Sequence, residues 1–265
     1  MENDPALLKT ISYMKAHWPS SVKPEWQVGL DEYLTISKRI LLDFTKDATS
    51  GRRLIRIAGL SGSGKTTQLL PAATACCDEN NIVPVLVAAR RFVEYHPHCQ
   101  EIKDFYGEVN LRKMTDEFST IMMFLILKAL TAAGYDIILD VALLDPEVEQ
   151  ILLTFLKDYR VLFLMIATSP AVTEHFLSGR AWRHTRETEE EFVRATTKAL
   201  KFYAKEAPTS RIILWDVYNN PPIYDGDLSG CLDIFSKYSA RTELPQPNDD
   251  ERRTAKAEYL RQIVL

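Results

Sequence analysis

The chain alternates between short runs of apolar residues and longer segments in which apolar residues recur every three or four positions. Short apolar runs are typical of strands buried on both faces of a parallel sheet, and the longer recurrence is typical of amphipathic helices. Five strands are predicted in this way, at residues 52–58, 82–88, 137–141, 161–167 and 212–215. Strands that alternate with helices indicate an α/β fold, a doubly wound parallel sheet flanked by helices.

The segments between these runs predict helices at residues 65–77, 115–133, 146–159 and 187–206, and a short helix near the end of the chain. Gly134 follows the second of these segments, where a glycine commonly ends a helix. Two amphipathic segments before residue 50 predict an N-terminal helical extension. We therefore expect this extension at residues 1–50, a core at 51–216 and a helical or irregular C-terminal extension at 217–265.

Composition narrows the classes of function. The chain has 265 residues, 46% of them hydrophobic, and a net charge of -4. A mildly negative chain lacks the positive field that a general nucleic-acid binder or a polybasic membrane binder needs. No apolar leader opens the sequence, and its longest apolar run, 121–127, is too short to cross a bilayer. We therefore expect a cytoplasmic protein without nucleic-acid or membrane partners.

A glycine-rich motif, GLSGSGKT, occupies residues 59–66 directly after the first predicted strand. It satisfies GxxxxGK[ST], the P-loop, whose backbone N–H groups and following helix cradle phosphates. In such a loop Lys65 reaches the β- and γ-phosphates and Thr66 ligates magnesium. We assign the nucleotide contacts to Gly59, Ser61, Gly62, Ser63, Gly64, Lys65, Thr66 and Thr67.

Two further stretches add a family resemblance. RFVEYHP stands at residues 91–97, after the second predicted strand, and GYDIILD at 134–140 forms the third. With the P-loop, and as far as about residue 207, they resemble the zeta-toxin family, bacterial P-loop kinases whose known members phosphorylate UDP-N-acetylglucosamine. The family patterns read roughly DxFxxxHP and GYxxVIEG, which this chain matches at Phe92, His96, Pro97, Gly134 and Tyr135. Asp140 falls where the family has Glu.

The resemblance implies a set of functional residues and partners. It implies ATP or another nucleoside triphosphate, Mg²⁺, a small-molecule phosphoryl acceptor and an antitoxin-like protein partner. The expected catalytic residues are Lys65, Asp140, Arg180 and Arg183, with Thr66 and Asp140 at the metal. The expected acceptor contacts are Arg90, Glu94, His96 and Arg186. The arginines at 180–186 lie between two predicted helices, the usual place for a mobile lid that stabilises a transferring phosphoryl group.

The chain departs from the family at the position of its catalytic Asp, which aligns with Arg90. A guanidinium, with a pKa above about 12, cannot accept a proton from a substrate hydroxyl. Residues 141–144 also replace the glycine, threonine and arginine pattern of the family's sugar-nucleotide pocket. The sequence therefore leaves the acceptor open.

Three explanations fit Arg90. Another carboxylate, Asp140 or Glu94, supplies the base; or the acceptor carries an anionic oxygen that needs no base and is held by Arg90 and Arg91; or catalysis is lost. The first two predict an ATP- and Mg²⁺-dependent small-molecule kinase acting on a nucleotide-sugar or an anionic metabolite. The alternative is a regulatory, non-catalytic nucleotide-binding protein or a simple NTPase.

Overall fold

The computed structural model describes residues 5–17, 19–60, 62–143, 145–177, 186–241 and 249–263, and structural statements here concern these residues. A six-stranded sheet has the strand order β2-β3-β1-β4-β5-β6. Its strands are β1 Arg53–Gly59, β2 Val85–Val87, β3 Ile137–Asp140, β4 Arg160–Ala167, β5 Arg211–Asp216 and β6 Tyr224–Asp227. The first five run parallel, and β6 pairs antiparallel with β5 at the edge.

Helices flank this sheet. In chain order they are α1 Pro5–His17, α2 Leu30–Thr45, α3 Leu70–Glu79, α4 Cys99–Tyr106, α5 Glu108–Met114, α6 Asp116–Ala133, α7 Pro146–Leu156, α8 Pro170–Leu177, α9 Arg186–Glu206, α10 Cys231–Ser239 and α11 Asp249–Arg261. A π-helical turn, Lys65–Leu69, leads into α3, and a 3₁₀ segment, Ala89–Tyr95, follows β2. No helix in the described part of the chain is both long and apolar enough to span a membrane.

The predicted α/β fold is confirmed, and each predicted strand is present with shifted ends. The strand predicted at 82–88 shortens to β2, Val85–Val87. Pro84 precedes it and has no backbone N–H to give to a ladder, which accounts for the later start. β6 was not predicted, because its sequence, YDGD, is polar and lacks the apolar run of a buried strand. Its residues are half-buried or exposed. Gly134 ends α6 in the left-handed conformation, with φ of 82°, as its position predicts.

The two faces of the sheet carry separate hydrophobic cores, because successive side chains of a strand point to opposite faces. On β1, Leu54 belongs to the core beneath α2 and α6, whereas Ile55 and Ile57 belong to the core beneath α3 and α11. Burial on both faces explains why the strands read as continuous apolar runs rather than as alternating patterns.

The N-terminal helices contribute to the first of these cores. Met14 of α1 and Tyr33 and Ile40 of α2 are almost completely buried, and they pack in the same cluster as Phe118 of α6. The rings of Tyr33 and Phe118 stack with centroids 5.4 Å apart. Residues before the P-loop therefore cover one face of the sheet.

A buried ionic network joins β1 to two helices. The guanidinium of Arg56 donates two hydrogen bonds to the carboxylate of Glu149 on α7, at 2.6 and 2.8 Å. Arg56 also donates to the hydroxyl of Tyr203 on α9, at 2.9 Å, and that hydroxyl donates to Glu149, at 2.6 Å. Both charged side chains are fully buried. Burial raises the pKa of Tyr203 well above its usual value, so the hydroxyl keeps the proton that it donates to Glu149.

Candidate nucleotide and acceptor site

The candidate site lies where parallel strands end together. β1 and β3 are neighbours, and their register pairs Ile57 with Asp140. Gly59, the last residue of β1 and the first of the P-loop, is paired with Ile166 of β4 on the other side. The carboxyl ends of adjacent parallel strands are the usual ligand site of open α/β sheets. The fold therefore brings the P-loop and Asp140 to one edge.

The P-loop requires glycine at defined positions. Gly59, Gly62 and Gly64 have φ of 136°, 75° and 95°, values that other residues rarely adopt. A Cβ on Gly59 would lie 2.9 Å from the carbonyl oxygen of Ile166, so no side chain fits there. Gly64 is the N-cap residue of the π-helical turn Lys65–Leu69, which follows the loop. The backbone has the glycine-dependent curl that the motif predicts.

Lys65 folds back over the loop. Its Nζ donates hydrogen bonds to the carbonyl oxygens of Gly59 and Leu60, at 2.7 and 2.6 Å. Thr66 and Thr67 are exposed. Ser63 is buried, and its Oγ has no hydrogen-bond partner among the described residues. Ser61 is a predicted nucleotide contact that lies outside the described residues.

Asp140 forms an ion pair with Arg90. Arg90 Nη2 donates to Asp140 Oδ2 across 2.5 Å. The side chain of Asp140 is 1% exposed and that of Arg90 is 37% exposed. Asp140 Oδ1 is buried and has no hydrogen-bond partner among the described residues. Asp140, the predicted metal ligand, is therefore paired with Arg90, the residue that aligns with the family's catalytic Asp. The sequence did not indicate this pairing.

The other predicted acceptor contacts differ in exposure. Glu94 is exposed. His96 is 4% exposed, its ring lies edge-on to Phe118 with centroids 4.7 Å apart, and its Nδ1 accepts a hydrogen bond from the backbone N–H of His98 at 3.1 Å. Burial lowers the pKa of His96 to about 4, which favours a neutral ring. Because the ring is enclosed and Nδ1 is occupied, the contacts of His96 lie within the fold.

Arg91 takes a different direction from its neighbour Arg90. Its Nη1 donates to the carbonyl oxygen of Leu86 at 2.8 Å, and its guanidinium lies over the ring of Phe44 at 4.4 Å. Its contacts are with β2 and α2, away from Asp140. Arg90 is thus the arginine of this pair that meets the predicted metal ligand.

The predicted arginine segment falls on undescribed positions. Arg180 and Arg183 lie outside the described residues, and so does the side chain of Arg186, the residue at which α9 begins. Their roles at a transferring phosphoryl group remain predictions.

The sequence reading missed polar residues at the ends of β4 and β5. Thr168 follows β4 beside the P-loop strand and is buried, and its Oγ1 lacks a hydrogen-bond partner among the described residues. Asp216 ends β5, where Oδ1 accepts from the backbone N–H groups of Tyr218 and Asn219 at 3.0 and 2.7 Å. The sequence could have pointed to both residues, because each lies at or just beyond the end of a predicted strand, where ligand-binding residues of open α/β sheets usually lie.

The donor chemistry fits magnesium bound together with a nucleotide. Among the described residues, no group of three or more His, Cys, Asp or Glu side chains could hold a metal ion. Magnesium in phosphate sites needs only one or two protein oxygens, because phosphates and waters supply the rest. Asp140, with its buried Oδ1, and the exposed hydroxyl of Thr66 are oxygen donors of that kind.

Comparison with known proteins assigns the family. The model of the Zeta toxin family matches residues 42–225, more than half of the chain. The chain therefore belongs to the Zeta toxin family. A search of curated proteins finds no match.

Two solved structures match this chain to different degrees. One is from a study titled as a characterisation of the PezAT chromosomal toxin–antitoxin system of Streptococcus pneumoniae. It is 20% identical, with a TM-score of 0.65, and the match covers 89% of this chain and 98% of that one. The other is a shikimate kinase from Bacteroides thetaiotaomicron, 15% identical, with a TM-score of 0.36 and coverage of 70% and 97%. The first supports the shared fold.

Proposed function

We propose that this member of the Zeta toxin family is an ATP- and Mg²⁺-dependent phosphotransferase that acts on a small-molecule acceptor. The observation that carries the proposal is the P-loop at the end of β1 beside Asp140 at the end of β3. Phosphoryl transfer needs positioning and charge stabilisation rather than covalent chemistry from the protein. A phosphate cradle beside a buried carboxylate supplies both.

The nucleotide half of the site consists of the predicted P-loop contacts. The backbone N–H groups of the loop hold the phosphates, and Lys65 exchanges its two carbonyl partners for phosphate oxygens. Thr66 and Asp140 hold Mg²⁺, which neutralises developing charge on the phosphates when it is bound. Arg180 and Arg183 complete this half by stabilising the transferring group.

The acceptor half is built around Arg90. Its guanidinium is partly exposed at the same edge as Asp140, so it suits a phosphate or carboxylate, which guanidinium binds in a bidentate manner. A nucleotide-sugar or another anionic metabolite fits this chemistry. Glu94 and Arg186 are the further acceptor contacts in the proposal. His96, also predicted as an acceptor contact, is enclosed in the fold and supports the shape of the pocket instead.

We also propose a cytoplasmic location and an antitoxin-like protein partner. The partner is suggested by membership of the Zeta toxin family and by the structural likeness to a protein studied as part of a toxin–antitoxin system. Co-purification from the native host, compared with a Lys65→Ala variant to exclude indirect effects of activity, tests this part.

A non-catalytic nucleotide-binding protein is the second candidate, favoured by one observation: Arg90 occupies the carboxylate that would organise the metal. Incubation with γ-labelled ATP and a metabolite extract separates the candidates. A labelled metabolite identifies a kinase. Free phosphate alone identifies an NTPase, and neither product identifies a binding protein, so each of these outcomes overturns the proposed kinase.

A further inference from the structure

We propose that Arg90 and a divalent cation occupy Asp140 alternately, so that metal binding releases Arg90 to the acceptor. The inference rests on the proposed function, because it requires Asp140 to face the metal of a bound nucleotide. It adds a regulatory role for Arg90 at that site. In the free protein Arg90 is the counter-ion of Asp140. In the protein that has bound the metal and the nucleotide, Arg90 binds the acceptor.

The geometry supplies the first half of the exchange. Asp140 Oδ2 is engaged by Arg90 Nη2 at 2.5 Å, and Oδ1 is buried without a hydrogen-bond partner among the described residues. The carboxylate is thus neutralised on one oxygen and incompletely bonded on the other. A carboxylate that is 1% exposed is costly to leave without a cation, since little water reaches it.

Charge balance makes the two occupants exclusive. One buried carboxylate carries a single negative charge, and a guanidinium and a divalent ion held together against it would repel each other at short range. Arg90 can therefore leave when Mg²⁺ replaces it, and Mg²⁺ binds more tightly when Arg90 has another anion to bind. By linkage, an anionic acceptor and the metal each increase the affinity for the other.

The surroundings indicate which partner moves. Asp140 ends β3, which lies between β1 and β2 in the sheet. Arg90 lies on the 3₁₀ segment Ala89–Tyr95, and its side chain is 37% exposed. Neighbouring residues hold that segment, because Phe92 is fully buried and Arg91 donates to Leu86. The Arg90 side chain can therefore swing while both backbone elements stay in position.

The released guanidinium selects the acceptor class. It is a planar donor that pairs in a bidentate manner with a carboxylate or a phosphate. An acceptor without an anionic group offers Arg90 no charged partner, so on metal binding Arg90 exchanges its ion pair with Asp140 for water alone. The exchange thus favours anionic acceptors and limits metal loading in their absence.

The test uses the full chain and the nonhydrolysable nucleotide AMP-PNP. Calorimetry measures its affinity over a series of Mg²⁺ concentrations for the wild type, Arg90→Met and the control Arg160→Met. Arg90→Met removes the competing cation, so the Mg²⁺ concentration for half-maximal effect should fall by a factor in the range of about 5 to 150 that is typical of coupled sites. Arg160→Met, at an exposed position at the start of β4, should keep the wild-type value. An unchanged or increased Mg²⁺ requirement in Arg90→Met overturns the exchange.

A second measurement needs no destabilising substitution. In ¹⁵N-arginine-labelled wild type, the guanidinium resonance of Arg90, assigned by its absence in Arg90→Lys, should shift when Mg²⁺ is added to the AMP-PNP complex. A resonance that Mg²⁺ leaves unchanged contradicts the inference.

The two proposals fail in different ways. If AMP-PNP does not bind, or binds independently of Lys65, the proposed function fails. If it binds through Lys65 but Arg90→Met has the wild-type Mg²⁺ profile, only the exchange at Asp140 fails.

Discussion

Arg90 Nη2 lies 2.5 Å from Asp140 Oδ2, so two residues fifty positions apart in the chain form an ion pair at the edge of the sheet. The pair joins the two halves of the proposed site, since Asp140 is a predicted metal ligand and Arg90 a predicted acceptor ligand. It also accounts for the burial of Asp140 as a charged group, because buried carboxylates require a partner.

Asp140→Asn should reduce phosphotransfer by about 10²–10³-fold, the usual effect of removing one electrostatic contact to a developing charge. The substitution keeps the shape of the side chain and removes the charge that organises the metal. Its effect on stability should be small, since Arg90 is partly exposed and can turn to water. Rates with saturating nucleotide and urea unfolding curves measure the two effects. Asp145→Asn, at an exposed position, is the control; full activity in Asp140→Asn would remove Asp140 from the mechanism.

Lys65→Ala should weaken nucleotide binding about 10- to 100-fold, as expected for losing a charged hydrogen bond worth about 1.5–3 kcal/mol. The folded state should persist, because the change removes one half-buried side chain and leaves the glycine-dependent backbone of the loop unaltered. Calorimetric titration with ATP and Mg²⁺ checks the loss. Lys113→Ala removes an exposed lysine of α5 and should bind as the wild type does. Equal affinity in both variants would contradict the P-loop assignment.

Glu149→Gln should lower the free energy of unfolding by about 3–5 kcal/mol, because it leaves the buried charge of Arg56 without its partner. Tyr203→Phe should cost less, about 1–3 kcal/mol, for the loss of a buried hydroxyl with two hydrogen bonds. Urea unfolding measures both.

The control for this network is Glu147→Gln on the same helix, where the carboxylate is exposed and a change within about 0.5 kcal/mol is expected. Replacing the three side chains together, as Arg56→Met with Glu149→Leu and Tyr203→Phe, should recover much of the loss, since neither an uncompensated charge nor an unbonded hydroxyl remains. A triple variant as unstable as Glu149→Gln would show that the cost comes from packing instead.

His96 should make stability depend on pH. Its pKa is lowered to about 4 in the folded protein, against about 6.5 when unfolded, so the unfolded state binds more protons between these values. The resulting stabilisation, of up to about 3 kcal/mol, is fully present above about pH 6.5. It is lost as the pH falls towards about 4. His96→Asn, which keeps an acceptor for the His98 N–H, should flatten the profile.

Unfolding free energies from pH 4 to 8 test this dependence as the difference between His96→Asn and the wild type. His98→Asn should retain most of the wild-type slope, because the backbone N–H that bonds His96 is unchanged. Parallel profiles for His96→Asn and the wild type would contradict a neutral, buried His96.

Ile40→Ala should destabilise the protein by about 2–5 kcal/mol, since the side chain is fully buried in the core shared with α6. Leu42→Ala, on the same helix but 75% exposed, should change stability by about 0.5 kcal/mol or less. Thermal and urea unfolding compare them. Similar small effects would mean that α2 is only loosely attached to the core.

Local sequence patterns predicted two kinds of element correctly: strands that are buried on both faces of the sheet, and helices that end at a glycine. The continuous apolar runs identified β4 and β5, and Gly134 marked the end of α6. Local patterns failed at β6, whose polar residues are a strand only because the exposed edge of β5 pairs with them. They also gave no indication that Arg56, in an apolar strand, is neutralised by a carboxylate on α7.

The sequence by itself determined the P-loop, because its glycines and Lys65 act through backbone geometry that is local to residues 59–66. It also determined the alternation of strands and helices, which follows from periodicity within each segment. Only the tertiary structure decided that Arg90 meets Asp140 and that Arg91 turns away to Phe44. The physical reason is that such contacts depend on strand order and register, which bring distant segments together and leave no mark in the local pattern of either one.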